Sequence, residues 1–600
     1  MRLPLRTAVR VAWLLLALVA VPSEHSHAVD LSAEGQAAPQ AAQQIKESLE
    51  KAAATGDAAA MNDLGELYYE GKGVPQDYQK AKEWYEKAAA AGNAVAMRHL
   101  GGLYYRGLGV PQDYSKAKEW YEKAAASGDT GAMMNLAGMY HEGQGVPKDY
   151  QKAKEWFERG AAAGDDGAMY FLGTLYHEGQ GVPRDYQKAR EWYEKAAAAG
   201  DADAMNDLGN LYAEGQGVPQ DYQKAKQWWE KAAAAGEAQA MTNLGAQYQD
   251  GQGVPQDYQK AKEWFEKAAA VGDARAMKNV GDLYCNGQGV PQDYQQAREW
   301  TEKAANAGYA PAMSNLGSLY GSGQGVPQDS QKAKEWYEKA AASGDAQGMY
   351  NLGSLYYHGE GVPQDYQMAK QWYEKSAASG EPLAMNNLGT LYEQGQGVPQ
   401  DYQKGKEWFE KAASAGCALA MRNLGNLYDE GQGVPQDDQK AREWYQKAAA
   451  AGDAEAMNDL GGLYAEGKGG PQDYQQAKQW FEKAAAAGVA EAMNNLGALY
   501  EQGHGVPQDS QKATEWYEKA ATAGDVGAMA NMGERYQQAH GVARDYEQAR
   551  RWYEKAAAGG NAEAMFNLGV LYQGGQGGPR TISRRSSFMR RQRPPDMLRR

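Results

Sequence analysis

The sequence predicts an all-α solenoid of about fifteen 36-residue helix–turn–helix repeats, and three observations carry that prediction. From Gly56 to Gly560 one 36-residue pattern, GDAAAMNDLGELYYEGKGVPQDYQKAKEWYEKAAAA in its first copy, recurs without insertion or deletion. Apolar residues fall at helical spacing in two stretches of every copy up to that from Gly524, and a Gly-containing segment, with Pro in all but that last copy, separates the two stretches. Strict self-similarity at this period means units that bury their hydrophobic faces only against neighbours.

Within one repeat the first Gly is position 0. Ala60, Met61, Leu64, Leu67 and Tyr68 then occupy positions 4, 5, 8, 11 and 12, the stripe of an amphipathic helix, here helix A. Asp57 stands where an N-cap belongs, and Gly71 is a stop where φ can be positive. The segment 71–76 cannot continue the helix. Asp77 caps helix B, in which Ala81, Trp84, Tyr85 and Ala88 repeat at helical spacing. Lys82–Glu86 and Glu83–Lys87 are spaced as i, i+4 ion pairs on its solvent face. Gly65 and its equivalents interrupt helix A at about 1 kcal/mol relative to Ala, which only a close helix approach justifies. The fourteen Trp of the series Trp84 to Trp552 are expected to fill the space between repeats as core, and so are the fifteen Tyr from Tyr68 to Tyr572. Position 7 is Asn or Asp in thirteen of fifteen repeats, as at Asp63, Asn135 and Asp207, and is expected to bond to a neighbouring helix or loop.

AMNDLGELYYEGKGVPQDYQKAKEWYEKAAA resembles the Sel-1-like repeat, the 36-residue relative of the tetratricopeptide repeat, over some 520 of the 600 residues. The resemblance implies α/α hairpins stacked into a right-handed superhelix. It also implies an adaptor or scaffold, of an exported bacterial type that serves envelope signalling, polysaccharide export, control of peptidoglycan enzymes or host-cell interaction. Disulfide-rich relatives are linked to β-lactam binding or hydrolysis; their paired-Cys pattern is absent here.

The ends differ from the array. Arg2, Arg6 and Arg10 precede an apolar run from Val11 to Val21, and Ser26-His27-Ala28 offers small residues at −3 and −1, so residues 1–28 read as a secretory signal peptide. Eleven apolar residues are short of the roughly 20 a membrane span needs, so no stable span is expected after cleavage. Residues 29–43 read as a flexible leader and 44–55 as an N-terminal capping helix, with Ser48 in the Trp position where the outer side meets water. The array runs over 56–580. Residues 581–600, TISRRSSFMRRQRPPDMLRR, break the pattern and form a basic tail. Read one base earlier, codons for Thr581 to Arg585 can encode Asp-Tyr-Gln-Gln-Ala, the missing start of a helix B, and those for Arg591 to Asp596 permit Lys-Ala-Ala-Ala-Ala-Gly. The tail therefore reads as a frameshift product without selected function.

Charge and motif content narrow the function. Without the first 28 and last 20 residues the chain holds 52 Lys and Arg against 75 Asp and Glu, which disfavours nucleic acid and anionic membrane as partners. The two cysteines, Cys285 and Cys417, lie almost four repeats apart, too far for a disulfide. There is no Walker-type loop, no HExxH and no CxxC among the eight His and two Cys, so no catalytic residue, cofactor or metal is expected and the chain reads as not an enzyme. Information then resides in the variable positions 3, 6, 10, 13 and 14 of helix A, which the resemblance places on or near the inner surface. Tyr69, Tyr105, His141 and His177 follow one another at position 13, with Arg98 and Arg106 close in register and Tyr170-Phe171 replacing polar residues. Rings and Arg together make a candidate site for a protein partner. The leading expectation is a periplasmic or secreted protein–protein interaction scaffold. An envelope-glycan binder or hydrolase using acidic residues of the inner surface is the alternative.

Overall fold

A computed structural model describes residues 38–576. The signal peptide, most of the leader and the basic tail lie outside the described residues. Thirty helices account for the described architecture, and none of the described residues forms a strand. Contacts divide the chain into two compact halves, the boundary falling after Trp300. Each half is an α/α solenoid in which helix A of a repeat packs on its own helix B, and helix B packs on the next helix A.

The first half begins with a helix at Ala38–Ala54, upstream of the expected start at 44, followed by helix A of repeat 1 at Ala58–Glu70 and helix B at Tyr78–Ala90. The local signals act as read. The Asp57 carboxylate accepts from the Ala59 and Ala60 amides, and Asp77 from Lys80. Gly71 takes φ 72° and donates its N–H to the Leu67 carbonyl, a left-handed cap that a β-carbon would strain. The loop is closed by the Asp77 N–H on the Tyr68 carbonyl at 2.8 Å and by the Gln76 amide on the Tyr69 carbonyl at 2.9 Å. That pair of bonds recurs: Asp113 and Gln112 in repeat 2, and in the second half Asp401 and Gln400 in repeat 10, make the same contacts. The pair Lys82–Glu86 forms at 2.6 Å, whereas Lys87 of the second expected pair lies over the Trp84 ring, 4.0 Å from its centroid.

The aromatic core differs from the expectation. All fourteen Trp of the Trp84 series and all fifteen Tyr of the Tyr68 series are half-buried. Trp84 does touch the neighbouring core of Ala53, Ala60 and Leu64, but one face stays in water under a lysine. The ring that is sealed from solvent is one residue on, at position 29: Tyr85, Tyr121, Phe157, Tyr193, Trp229 and Phe265 in the first half, and Tyr337, Tyr373, Phe409, Tyr445, Phe481, Tyr517 and Tyr553 in the second. In twelve repeats this ring lies on the position 9 glycine of its own helix A; in repeat 3 position 9 is Ala137. A β-carbon on Gly101 would sit 2.5 Å from the Tyr121 ring, and one on Gly317 2.5 Å from Tyr337. The close helix approach inferred from the glycines is thus real, and the ring at 29, not the Trp at 28, occupies it. Around this contact the small positions 25, 32 and 33 of helix B, such as Ala81, Ala88 and Ala89, and the Leu of helix A complete each core.

Tyr121→Ala should therefore lower local stability by about 3–5 kcal/mol, as expected for loss of a buried ring, and Trp120→Ala by less. Gly101→Ala should also destabilise, although Ala is the better helix former by about 1 kcal/mol, because the methyl meets the ring. Hydrogen exchange of the helices at Ala94–Arg106 and Tyr114–Ala126 measures all three.

Candidate functional site

Position 13 lies at the last turn of helix A, beside the loop that leads into helix B, and its ring meets the Tyr that opens helix B. The Tyr69–Tyr78, Tyr105–Tyr114, His141–Tyr150 and His177–Tyr186 centroids are 5.1 to 5.4 Å apart with near-perpendicular planes. Edge-to-face packing of this kind braces the hairpin within a repeat. The two histidines also reach forward: His141 Nε2 is 2.8 Å from the Gln180 amide oxygen and its Nδ1 2.7 Å from Glu142, while His177 Nε2 is 3.0 Å from the Gln216 amide oxygen. Gln180 and Gln216 belong to the loop of the following repeat. Tyr69 is joined in the same sense to Arg106 of the next repeat; burial raises its hydroxyl pKa, and the Arg106 guanidinium opposes that rise. Burial likewise pushes Tyr105 up to about 12, with the Tyr114 hydroxyl adding to the rise.

The remaining candidates have similar engagements. Arg98 pairs with Asp129 at 3.0 Å, and Asp129 also caps the next helix A through the Ala132 amide. Tyr170 donates its hydroxyl to the Asp207 carboxylate at 3.1 Å. Phe171 stacks on Phe157 at 5.2 Å with planes 11° apart. This last contact has a local cause: repeat 3 carries Ala137 where other repeats have the position 9 glycine, and its ring Phe157 lacks the hydroxyl that Tyr193, Tyr337 and Tyr445 satisfy on Thr174, Ser318 and Asn426. An apolar ring at position 7 can then cover it. Of the eight residues read as a partner surface, His141, Tyr170 and Phe171 are buried, a correction to the expectation that they stand on an open groove. Tyr69, Arg98, Tyr105, Arg106 and His177 are half-buried. The structure does not gather the eight into one patch; it strings them along the joints between repeats.

What runs along successive A helices is polar. Position 7 bonds to position 6 of the preceding repeat: His99 to Asn62 at 3.2 Å and Asn243 to Asn206 at 3.0 Å in the first half, and Asn423 to Asn386 at 2.9 Å, Asn495 to Asn458 and Asn531 to Asn494 at 3.0 Å in the second. Where position 6 is a donor the direction reverses, as for Tyr170 to Asp207 and for Arg422 to Asp459 at 2.8 Å. The expected bond from position 7 to a neighbouring helix is thus present. Asn423, Asn495 and Asn531 are only half-buried and have amide capacity beyond the ladder bond, whereas Asn243 also donates to Asn210 at 3.1 Å and accepts from Arg275 at 3.0 Å.

Two polar intrusions into the Leu stripe are additional. Gln247 and Arg535 replace Leu at position 11, are 2% and 1% exposed, and both donate to the position 22 carbonyl of the preceding repeat, Tyr222 and Ser510. Arg535 further donates to Thr514 at 2.7 Å and pairs with Glu501 at 2.6 Å. Ser510 and Thr514 stand where most repeats have Tyr and Lys or Arg, and these smaller residues leave the room Arg535 occupies.

Raised carboxylates accompany the ladder. Burial pushes Asp201, the N-cap of the helix at Ala202–Glu214, up to about 7; the Ala204 amide it accepts from pulls the other way, and Asp203, Asp166 and Asp207 add repulsion. Among the described residues no group of three or more His, Cys, Asp or Glu is placed to hold a metal. Cys285 and Cys417 are free thiols.

Phe171→Ala should open a cavity under Phe157 and lower the stability of repeats 3 and 4, measured as faster hydrogen exchange in the helices at Tyr150–Ala162 and Asp166–Glu178. For Asp201 the native pKa stands above the unfolded value of about 4, so its contribution is full below that value and is lost as pH rises through about 7. Asp201→Asn keeps a capping oxygen and removes the buried charge. Its protection of Ala202–Glu214 against exchange should match wild type at pH 4, exceed it increasingly up to about pH 7, and hold a constant advantage above.

The family profile described as Sel1 repeat matches fifteen successive segments, from 58–93 through 562–584. A protective antigen present in uropathogenic Escherichia coli strains and displaying an SLR fold is 33% identical over 79% of this chain and 92% of that one, with a TM-score of 0.50. A Sel1 repeat protein from Oxalobacter formigenes is 37% identical over 41% of this chain and 99% of that one, with a TM-score of 0.38. No curated protein matches the chain. With the period, caps, hairpins and core contacts described above, the fifteen matches show that this chain belongs to the Sel1 repeat family.

Proposed function

We propose that this protein is an exported, non-enzymatic scaffold that holds a protein partner along the row of A helices, in the periplasm or outside the cell. A Sel1 repeat solenoid supports a protein–protein interaction role in general. The observation that carries the specific reading is the Asn and Asp ladder at positions 6 and 7. In the second half, an amide that gives one hydrogen bond to its neighbour and is half open has donors and acceptors left, and a row of them at repeat spacing suits the backbone of an extended polypeptide. The acidic excess of the array adds a preference for a partner with basic residues. Export rests on the signal-like residues 1–28. No helix among the described residues is long and apolar enough to cross a membrane. The raised carboxylate at Asp201 is explained by its burial and its acidic neighbours, against the pull of its capping bond, so it lends no support to a hydrolase.

Changing Asn423, Asn495 and Asn531 together to Ala should reduce capture of the partner from a native cell-envelope extract at least tenfold while the far-ultraviolet circular dichroism stays helical. Tyr105→Ala, which touches a joint and not the ladder, should leave capture within about twofold. Undiminished capture by the triple variant would refute the ladder as the binding face. Protein recovered from its host should begin at Val29 by mass spectrometry; an intact Met1 would refute export.

A further inference from the structure

Among the described residues the array begins with a helix B and ends with a helix A, and the two are complementary. At the C-terminal end helix A of repeat 15, Ala562–Gly574, has no helix B on it among the described residues. At Gly101, Gly173, Gly425 and Gly533 a ring from helix B lies on the position 9 glycine, whereas nothing lies within 4 Å of the corresponding point at Gly569. Phe566 and Val570, at positions 6 and 10, are 62% and 42% exposed. In other repeats these positions touch the position 29 ring, as Tyr350 touches Tyr373 at 5.9 Å and Ser354 its hydroxyl at 3.2 Å. The vacant slot therefore has the form of a helix B.

At the other end the helix Ala38–Ala54 is in register as a helix B with no helix A before it among the described residues. One side of it packs forward, through Leu49, Ala52 and Ala53, on Ala60, Leu64 and Met61. Leu49 stands at position 29 and Ile45 at position 25, both half-buried. In internal repeats these positions meet the helix A of the same repeat, position 29 as Tyr85 meets Gly65 and position 25 as Ala333 meets Gly321. The chain's own tail is a poor occupant of the slot: in register it would put Arg585 at position 25, where Ala81, Ala117 and Ala153 are wholly buried.

We propose that the helix Ala38–Ala54 of one copy docks on Ala562–Gly574 of a second copy, completing a repeat across the junction, with Leu49 entering over Gly569 and Phe566 and Val570 covered. The junction continues the A–B interface that each half already repeats internally. It is heterologous, so a joined pair keeps one free end of each kind and association runs head to tail. Ser48 takes the place of the Trp that internal junctions carry, which makes this joint weaker than they are and reversible.

Sedimentation velocity of the full chain over a hundredfold concentration range tests this. The weight-average mass should rise above the 65.2 kDa of the single chain without reaching a fixed dimer. Gly569→Gln fills the slot with a better helix former than glycine and should hold the chain monomeric, as should Phe566→Lys at its exposed site. Leu49→Glu should block the other end. An equimolar mixture of Gly569→Gln and Leu49→Glu chains, each retaining one functional end, should stop at dimers. A monomeric full chain at all concentrations would overturn the proposal. If only the chain truncated at 576 associates, the tail covers the slot and the proposal fails. Association that survives both Gly569→Gln and Phe566→Lys would place the interface elsewhere and overturn it as well.

Discussion

The position 29 ring resting on the position 9 glycine is the contact on which twelve of the fifteen repeats depend; repeat 3 has Ala137 at position 9 and repeat 7 has Thr301 at position 29. It sets the distance between helices A and B, because a β-carbon at 9 would collide with the ring. That distance in turn brings the alanines at 25, 32 and 33 into full burial, where they would be too short to fill a wider gap. Glycine within a helix is unfavourable by propensity, and the buried ring more than offsets it through the apolar area removed from water. Each half gains its stability by repeating this one arrangement, every core touching only those before and after it.

The joints between repeats are where the sequence varies. Position 7 to position 6 bonds, Arg98 on Asp129, His141 on Gln180 and Arg535 on Glu501 all cross from one repeat to the next. A substitution on one side is answered on the other: Ala137 and Phe157 are matched by Phe171, and Arg535 by Ser510 and Thr514. Variation that looks like a recognition code therefore includes residues that fit adjacent repeats to each other. The half-open amides are different, since their bonding capacity exceeds what the joints use.

Residues of the candidate site were legible to different degrees. The recurrence of Asn and Asp at position 7 announced an inter-repeat bond, because a short polar side chain has little other reason to return at one helical position. The ring run Tyr69, Tyr105, His141, His177 was visible as a pattern, but its partners, the Tyr at position 22 and the loop Gln of the next repeat, lie nine residues and about one repeat away in sequence. Phe171 stands out as an apolar ring at a polar position, and the departure from Gly at Ala137 is the sign that it is buried against Phe157 and not exposed. Arg535 was equally visible as the one Arg at position 11, and its meaning depends on three residues of the repeat before it.

By itself the sequence determined the class of fold, the register, the helix caps and the turns. Those depend on local chemistry: spacing along one helix, Asp before a first turn, Gly where φ is positive. A period repeated fifteen times makes the signal unmistakable. Only the tertiary structure decided which of two adjacent aromatics, Trp84 or Tyr85, is sealed in the core, and that Trp84 keeps a face in water under Lys87. Adjacent residues point about 100° apart around a helix, and both lie near the apolar stripe. The side that meets the neighbouring glycine is fixed by how two helices dock, which no spacing within either helix records.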